Sequence, residues 1–394
     1  MINIEDKKDC NGCTACVNVC PVSCISMQTD DEGFLYAKAN EDICIHCSLC
    51  VETCPIQSPW DKRSPIKTLG AYNKDEDMCF VSTSGGVFTL LAIPVLEDGG
   101  VVFGARFNEN WQVNIDYVDQ IEDLRLFRGS KYVQASVGDS FRKVEKFLQE
   151  GRKVLYTGTP CQVAGLNHFL GRSTYNNLLT VDVACHGVPS PMLWDRYLEE
   201  VKHKHFGGEA ITHVNFRYKY DTWRGYRLTF KNKEHTYSVP RSEDPYMRAF
   251  FDGLSVREAC YYCACKEGRN HSDITIADFW GAEHIEPDME NDNGLCLVII
   301  NSNKGEIAFP YEKVRYKETD LERAKTYNEG LHEHTKRHVK RDSFFYYINK
   351  ADSVIETMEK IMKPTYTVRL RTKISQYRCC LLYTSPSPRD ATLS

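Results

Sequence analysis

The chain has 394 residues, 42% hydrophobic and 26% charged, enough for two or three domains with sizeable cores. No apolar run approaches the ~18 residues of a membrane span, and the polar, acidic start MINIEDKKDC is no signal peptide. The net charge of −5 is uneven: residues 1–60 carry nine acids and three lysines, which argues against nucleic acid as a partner, and 18 cysteines without a secretory signal point to metal or redox chemistry in a reducing cytoplasm.

One cysteine pattern occurs twice, 34 residues apart. Cys10, Cys13, Cys16 and Cys20 precede Pro21; Cys44, Cys47, Cys50 and Cys54 precede Pro55. Each copy reads C-x2-C-x2-C-x3-C-P, the run of two-cluster bacterial ferredoxins, in which the fourth cysteine of each run serves the other cluster. The spacing therefore predicts one 4Fe-4S cluster on Cys10, Cys13, Cys16 and Cys54, and a second on Cys44, Cys47, Cys50 and Cys20. A zinc site would need paired C-x2-C knuckles instead. Residues 1–60 form this module, with a short strand at 33–36 between the repeats. Its acidic surface suits a basic redox partner, or serves solubility alone.

A loop with Pro59 and Pro65 leads to a strand at 69–72. Ser82, Ser84, Gly85 and Gly86 precede the apolar run VFTLLAIPVLE, and serines there read as helix N-caps. The strand VVFGARF follows. From Asp139 helices and strands alternate: a helix through Phe141, Val144 and Leu148, the buried strand KVLYTG, the helix TPCQVAGLNHFL with Pro160 near its start, the strand LLTVDVA, and the helix MLWDRYLEEVKHKH. This βαβα run predicts parallel strands, so Cys161 and Cys185 fall just past two carboxyl ends, where sites of open α/β sheets collect. Residues 211–240 read as antiparallel, 245–260 as helical and 320–362 as charged and mostly helical. From Cys380 the stretch CLLYTSPSPRDATLS has no periodicity and resembles translated sequencing-adapter read-through, which makes residues 379–394 a non-native tail; a disordered native tail is the alternative.

Cys260 and Cys263 make a further C-x2-C, with Cys265 close behind. Together with Cys161 and Cys185 they form a plausible four-thiolate set for a third 4Fe-4S cluster; a zinc half-site or a redox dithiol is the competing reading, and Cys265 could substitute for a ligand. Cys24, Cys79 and Cys296 lie in apolar surroundings and read as buried bystanders. One-electron clusters need a two-electron site to couple to metabolism, and a flavin fills that role. Ser84-Gly85-Gly86 at a helix start offers N–H groups to a phosphate, as does Gly158-Thr159, although a plain tight turn explains either. Lys131, Tyr132, Arg217 and Trp223 supply cationic and aromatic groups suited to a pyrophosphate or an isoalloxazine.

The segments STSGGVFTLLA (82–92), GSKYVQA (129–135), TGTPCQVAGL (157–166), CHGVPSPMLW (185–194), FRYKYDTWRGY (216–226) and REACYYCACKEGRNHSDITIADFWG (257–281) resemble, in order, the coenzyme F420 hydrogenase/dehydrogenase beta-subunit family. The resemblance, over roughly residues 1–300, implies an α+β chain: a dicluster ferredoxin-like domain at 1–60, a beta-subunit N-terminal domain at 66–145 and a C-terminal FAD/4Fe-4S domain at 150–310 with a parallel βαβα core; the charged pattern beyond it reads as a helical extension at 311–378. It implies that Cys161, Cys185, Cys260 and Cys263 hold the third cluster. It also implies that Ser84, Gly85, Gly86, Lys131, Tyr132, Thr159 and Gln162 contact FAD. The implied activity is a cytoplasmic iron–sulfur flavin oxidoreductase. It would pass electrons between a redox protein, either a ferredoxin or another oxidoreductase subunit, and a hydride carrier such as coenzyme F420 or a small organic substrate. A non-catalytic electron-transfer subunit is the alternative, as is a reductase of surface-polysaccharide biosynthesis. The extra Cys265 and the altered C-terminus depart from the family pattern.

Overall fold

The computed structural model describes residues 1–171, 175–220 and 222–363. The expected tail at 379–394, Cys380 and the end of the charged extension lie outside the described residues. Thirteen strands form three sheets among the described residues. The antiparallel hairpin β1 (Ile25–Thr29) and β2 (Leu35–Ala39) belongs to the cysteine-rich module, and the short strand expected at 33–36 begins two residues later than expected.

The central sheet contains β3 (Lys67–Asn73), β4 (Val101–Phe107), β5 (Val113–Val118), β6 (Val154–Gly158), β7 (Leu178–Val183), β11 (Ile274–Asp278), β12 (Cys296–Ile300) and β13 (Val314–Glu318). Its order is β13-β3-β12-β11-β7-β6-β4-β5, and β4, β6, β7 and β11 run parallel in the middle. Buried on both faces, β6 and β7 need near-continuous apolar sequence, which VLYTG and LLTVDV provide. Strands from 66–145, 150–310 and 311–378 therefore share one sheet. The strand β13 falls where only helices were expected: VRYKE buries Val314 alone, as an edge strand can.

Alternation across the sheet separates two cores. Val101, Phe103, Val154 and Tyr156 face the helices Ser140–Gln149, Pro160–Leu170 and Pro191–Phe206. Val102, Leu155, Leu179 and Val181 face the helix Val87–Glu97. A small antiparallel sheet of β8 (His213–Tyr218), β9 (Arg227–Lys231) and β10 (Thr236–Pro240) packs on the first side. The predicted helix at 245–260 is shorter than expected: Pro245–Phe251 is helical, and a 3-10 turn follows at Glu258–Tyr262.

The cysteine-rich module is fused to this body. Its own core is Ile2, Cys20, Cys24, Ile25, Ala37 and Cys50, but Cys13, Ala15 and Phe34 belong to the main core. Three arginines fasten it. Arg142 donates to the carbonyls of Asn18 (2.7 Å), Val17 and Cys20. Arg257, fully buried, donates to the carbonyls of Cys10 (2.8 Å) and Leu35 (2.9 Å) and to Gln134 Oε1. Arg341 grips the Glu32 carboxylate through both ends at 2.5 and 2.6 Å. The linker is held too: Trp60 stacks on buried His168 at 4.1 Å.

Candidate functional site: thiol clusters and a charged cleft

The thiols gather into three groups. Burial raises the pKa of Cys13, and the charges of Cys16, Cys54 and Cys10 add to it; Cys16, pushed up to about 12, feels Cys10 and Cys54 in the same way. Cys54, raised by burial, also feels Cys10. Cys10, Cys13, Cys16 and Cys54 thus lie within electrostatic reach of one another, and Cys50 of the next group is felt by Cys16 and Cys54 as well. The loop around them bends through left-handed Thr14 (φ 62°) into the short helix Ala15–Val19, whose amides point back at the thiols.

Cys20, Cys44, Cys47 and Cys50 line a second hollow, together with Val22, Ile45 and Leu49. Cys24 lines it as well, its Sγ 3.4 Å from Cys20 Sγ and its amide on the same sulfur at 3.3 Å. The apolar context of Cys24 concealed that position. Ile2 N donates to Cys50 Sγ at 3.2 Å.

The third group gathers from three segments. Cys161 is the second residue of the helix that follows β6, and Cys185 lies two residues past β7. Cys260 sits in the Glu258–Tyr262 turn, and Cys263 follows it. Burial pushes Cys161 up to about 12, helped by the charges of Cys263 and Cys185, and raises Cys260 with help from Cys185, Cys161 and Cys263. Cys265 is buried at the inner side, where Asn11 Nδ2 reaches its sulfur at 3.6 Å. Hydrogen bonding from Cys265 pulls Cys263 down. The Cys265 thiol keeps its proton and feels Cys161 and Cys13, members of two different groups. Among the described residues, no group of three or more acidic, His or Cys side chains is placed to hold a single metal ion.

Helix Pro160–Leu170 joins the first and third groups. Cys161 is near its start, and a Cβ built on Gly165 would stand 2.8 Å from Cys13 Cβ and 3.0 Å from its sulfur. Only glycine permits that approach. Tyr156, fully buried on β6, feels both Cys13 and Cys161.

Beside the third group opens a cleft of about 580 Å³, at the carboxyl edge of the parallel strands. Ser84, Gly86, Lys131, Tyr132, Thr159 and Gln162 line it, with Cys185, Arg217, Asp278 and Trp280. Gly85 is not among the lining residues; its amide donates to Cys296 Sγ, which does line the cleft. The helix Val87–Glu97 begins there, but its N-cap is Gly86 at φ 75° and not a serine. Ser84 instead donates to the Leu295 carbonyl at 2.6 Å, fixing the turn to β12. Thr159 and Gln162 form a capping box, with Thr159 N donating to Gln162 Oε1 at 2.9 Å. Thr159 Oγ1 lies 3.2 Å from Cys161 Sγ.

The cleft is cationic. Burial pulls the Lys131 ammonium down to about 7, and its Nζ donates to the carbonyls of Phe127, Arg128 and Gly129. Lys131 thereby shapes its own loop. Arg217 is the stronger feature. Its side chain is 4% exposed, paired with Asp278 at 2.9 Å and stacked 3.9 Å over Tyr226. Nη1 also donates to Tyr132 OH at 3.2 Å, while Nε and Nη2 have no partner among the described residues. Orphaned donors on a buried cation are costly and fit an anionic ligand. Trp223, read from sequence as a flavin-face candidate, is buried and stacks on Trp280 at 5.0 Å; Trp280 is the ring that lines the cleft. Tyr226, Arg241, Phe250, Phe251 and Asp278 line it as well and were not singled out from sequence.

Residues 151–323 match the family model for the C terminus of the beta subunit of coenzyme F420 hydrogenase/dehydrogenase, and residues 9–58 match that for a 4Fe-4S dicluster domain. These matches agree with the coenzyme F420 hydrogenase/dehydrogenase beta-subunit family over residues 151–323 and with a two-cluster ferredoxin-type domain over 9–58. The chain is an iron–sulfur redox protein related to that family's oxidoreductase components. The dicluster match spans both cysteine repeats, and the beta-subunit match spans β6 through β13 with all four thiols of the third group. No curated protein matches. Among solved structures, the F420-reducing nickel–iron hydrogenase complex of Methanosarcina barkeri is similar at a TM-score of 0.45 and 17% identity, over 65% of this chain and 83% of that one, too remote a likeness to assign any residue. No helix among the described residues is long and apolar enough to cross a membrane.

Proposed function

We propose that this beta-subunit relative is an iron–sulfur flavin oxidoreductase carrying three 4Fe-4S clusters and FAD. The first cluster is held by Cys10, Cys13, Cys16 and Cys54, the second by Cys20, Cys44, Cys47 and Cys50, and the third by Cys161, Cys185, Cys260 and Cys263. The single observation that carries the flavin is the cleft itself. It contains Cys185 of the third group and the partly unpartnered Arg217 within one cavity of cofactor size.

When bound, FAD exchanges electrons singly with clusters and pairwise with a hydride carrier. The rest is the work of the residues. Arg217, locked by Asp278 and Tyr226, offers two free N–H donors to an anionic group without rearranging. Gly86 and the first amides of Val87–Glu97 add the positive end of a helix dipole. Tyr132, Phe250 and Trp280 give the cleft flat apolar faces that exclude water. The thiols of each group must lose their protons when iron binds, since burial holds Cys161 and Cys260 protonated without it. Coenzyme F420 is the first two-electron acceptor to test, and a ferredoxin or oxidoreductase subunit the natural electron donor.

Protein purified anaerobically in a reducing, cytoplasm-like buffer is expected to hold about 12 iron atoms and one flavin per chain. Arg217→Met should lower flavin affinity at least tenfold while iron stays unchanged. About eight iron atoms would remove the third cluster. Cluster-replete protein without flavin would leave an electron relay subunit.

A further inference from the structure

We propose that the second thiol set, Cys20, Cys44, Cys47 and Cys50, is the port at which this chain meets a partner redox protein, and that the partner presents an apolar cofactor edge rimmed with lysine or arginine. This rests on the iron–sulfur reading of the module and not on the flavin. The three sets differ in access. Cys47 is exposed, whereas every other thiol of the three sets is buried or half-buried. The first set backs onto helix Pro160–Leu170, and the third lies at the cleft, which Cys185 lines, with no exposed thiol. The module's inner face is closed by Arg142, Arg257 and Arg341. An incoming protein therefore approaches closest at the second set.

The surface there has the composition of a docking patch. Val22, Ile45 and Leu49 line the hollow of the second set yet are 38%, 59% and 38% exposed, and Ile43 beside Cys44 is 51% exposed. No charged side chain lines the hollow. Glu41 and Asp42, exposed just before Ile43 and Cys44, and Glu52, exposed two residues after Cys50, have no ion-pair partner among the described residues. Of the module's six other acids, Asp6, Asp30, Asp31 and Glu32 are paired, while Glu5 and Asp9 have no ion pair among the described residues. An apolar centre with an unneutralised acidic rim selects a basic partner, steers it at low salt and leaves the centre to exclude water. A second copy docking patch to patch would set acid against acid, so self-association is disfavoured here. The transfer moves one electron between an iron–sulfur cluster and the partner's cofactor; no proton or atom moves.

The test uses the full cluster-loaded chain with cytochrome c, a basic protein with an exposed haem edge, as probe, and an acidic flavodoxin as counter-probe. With both proteins oxidised, calorimetry should give a Kd for cytochrome c that weakens steeply with salt. Glu41→Lys combined with Asp42→Lys should weaken it about tenfold at low salt, and Ile43→Asn with Ile45→Asn by a similar factor. The rate of haem reduction by the dithionite-reduced chain should fall in parallel. Glu234→Lys, on the distant turn between β9 and β10, should leave both readings unchanged. Iron is counted in every variant; if the isoleucine pair loses iron, the charge pair, whose side chains touch no thiol, decides. A Kd indifferent to salt and to both pairs, or tighter binding of flavodoxin, overturns the port. Absence of flavin would leave these readings intact and sink only the enzyme reading.

Discussion

The second and third thiol groups are built in opposite ways. The second comes almost wholly from contiguous sequence: three of its cysteines lie within Cys44–Cys50, beside a short helix, and the group opens to solvent at Cys47. The third has no exposed thiol, and its cysteines arrive from the end of β6, the end of β7 and a loop after Pro245–Phe251. A locally built site can form or fail without its surroundings. A site assembled by a sheet is part of the core, so damage to it spreads.

That contrast is sharpest for ligand removal. Cys161→Ala or Cys263→Ala should cost about a third of the iron, weaken flavin retention and lower Tm, because the emptied pocket lies against β6 and β7. Cys47→Ala should cost the same iron and leave flavin and Tm nearly unchanged. Equal behaviour of the two classes, read by iron count, flavin absorbance and melting, would break the comparison.

Next in size is the fastening between the regions. Arg341 is 2% exposed and grips Glu32; desolvation opposes its charge, but the carboxylate more than restores it, so its pKa is raised. Arg341→Met strands Glu32 and should destabilise the chain by about 3–5 kcal/mol in denaturant unfolding, with the Arg341→Met, Glu32→Gln double variant losing less. If the single change is silent, Arg142, Arg257 and the apolar contacts hold the module without Arg341.

The smallest effect concerns the linker. Burial holds His168 near 4, below its ordinary 6.5. Between those values the unfolded chain binds a proton that the folded chain does not. Stability is therefore intact above pH 6.5 and falls as pH drops toward 4. His168→Gln should flatten that slope while leaving stability at pH 8 within about 1 kcal/mol. Unfolding followed by tryptophan fluorescence, with Trp60 stacked on His168, reads it directly.

These differences also decide what sequence reveals. The repeats were legible because spacing alone brings three thiols around one corner after another, and the βαβα alternation of 139–206 carried Cys161 and Cys185 to one edge. The alternation gave the parallel pairs of a mixed α/β sheet, and six separate motifs between 82 and 281 carried the family resemblance. The partnership of Arg217 with Asp278 was not legible: it spans two sheets, and neither residue has a periodic context. The serines before Val87 misled because the chain enters that helix through left-handed Gly86, which leaves Ser84 free to bind β12. Charged β13 hid as a helix because an edge strand buries only one of its five residues.

The closeness of Gly165 to Cys13 has a further consequence. Cys161 and Gly165 are four residues apart, about one turn on the same helix face, about 6 Å along the axis. One end of that turn reaches into the third thiol group and the other touches the first. The turn is a ruler. Inserting a single residue between the two would swing Cys161 by about 100° around the helix and carry it away from its companions, with every cysteine still present. This chain can therefore lengthen at its loops far more readily than within residues 161–165, where spacing is itself the functional element.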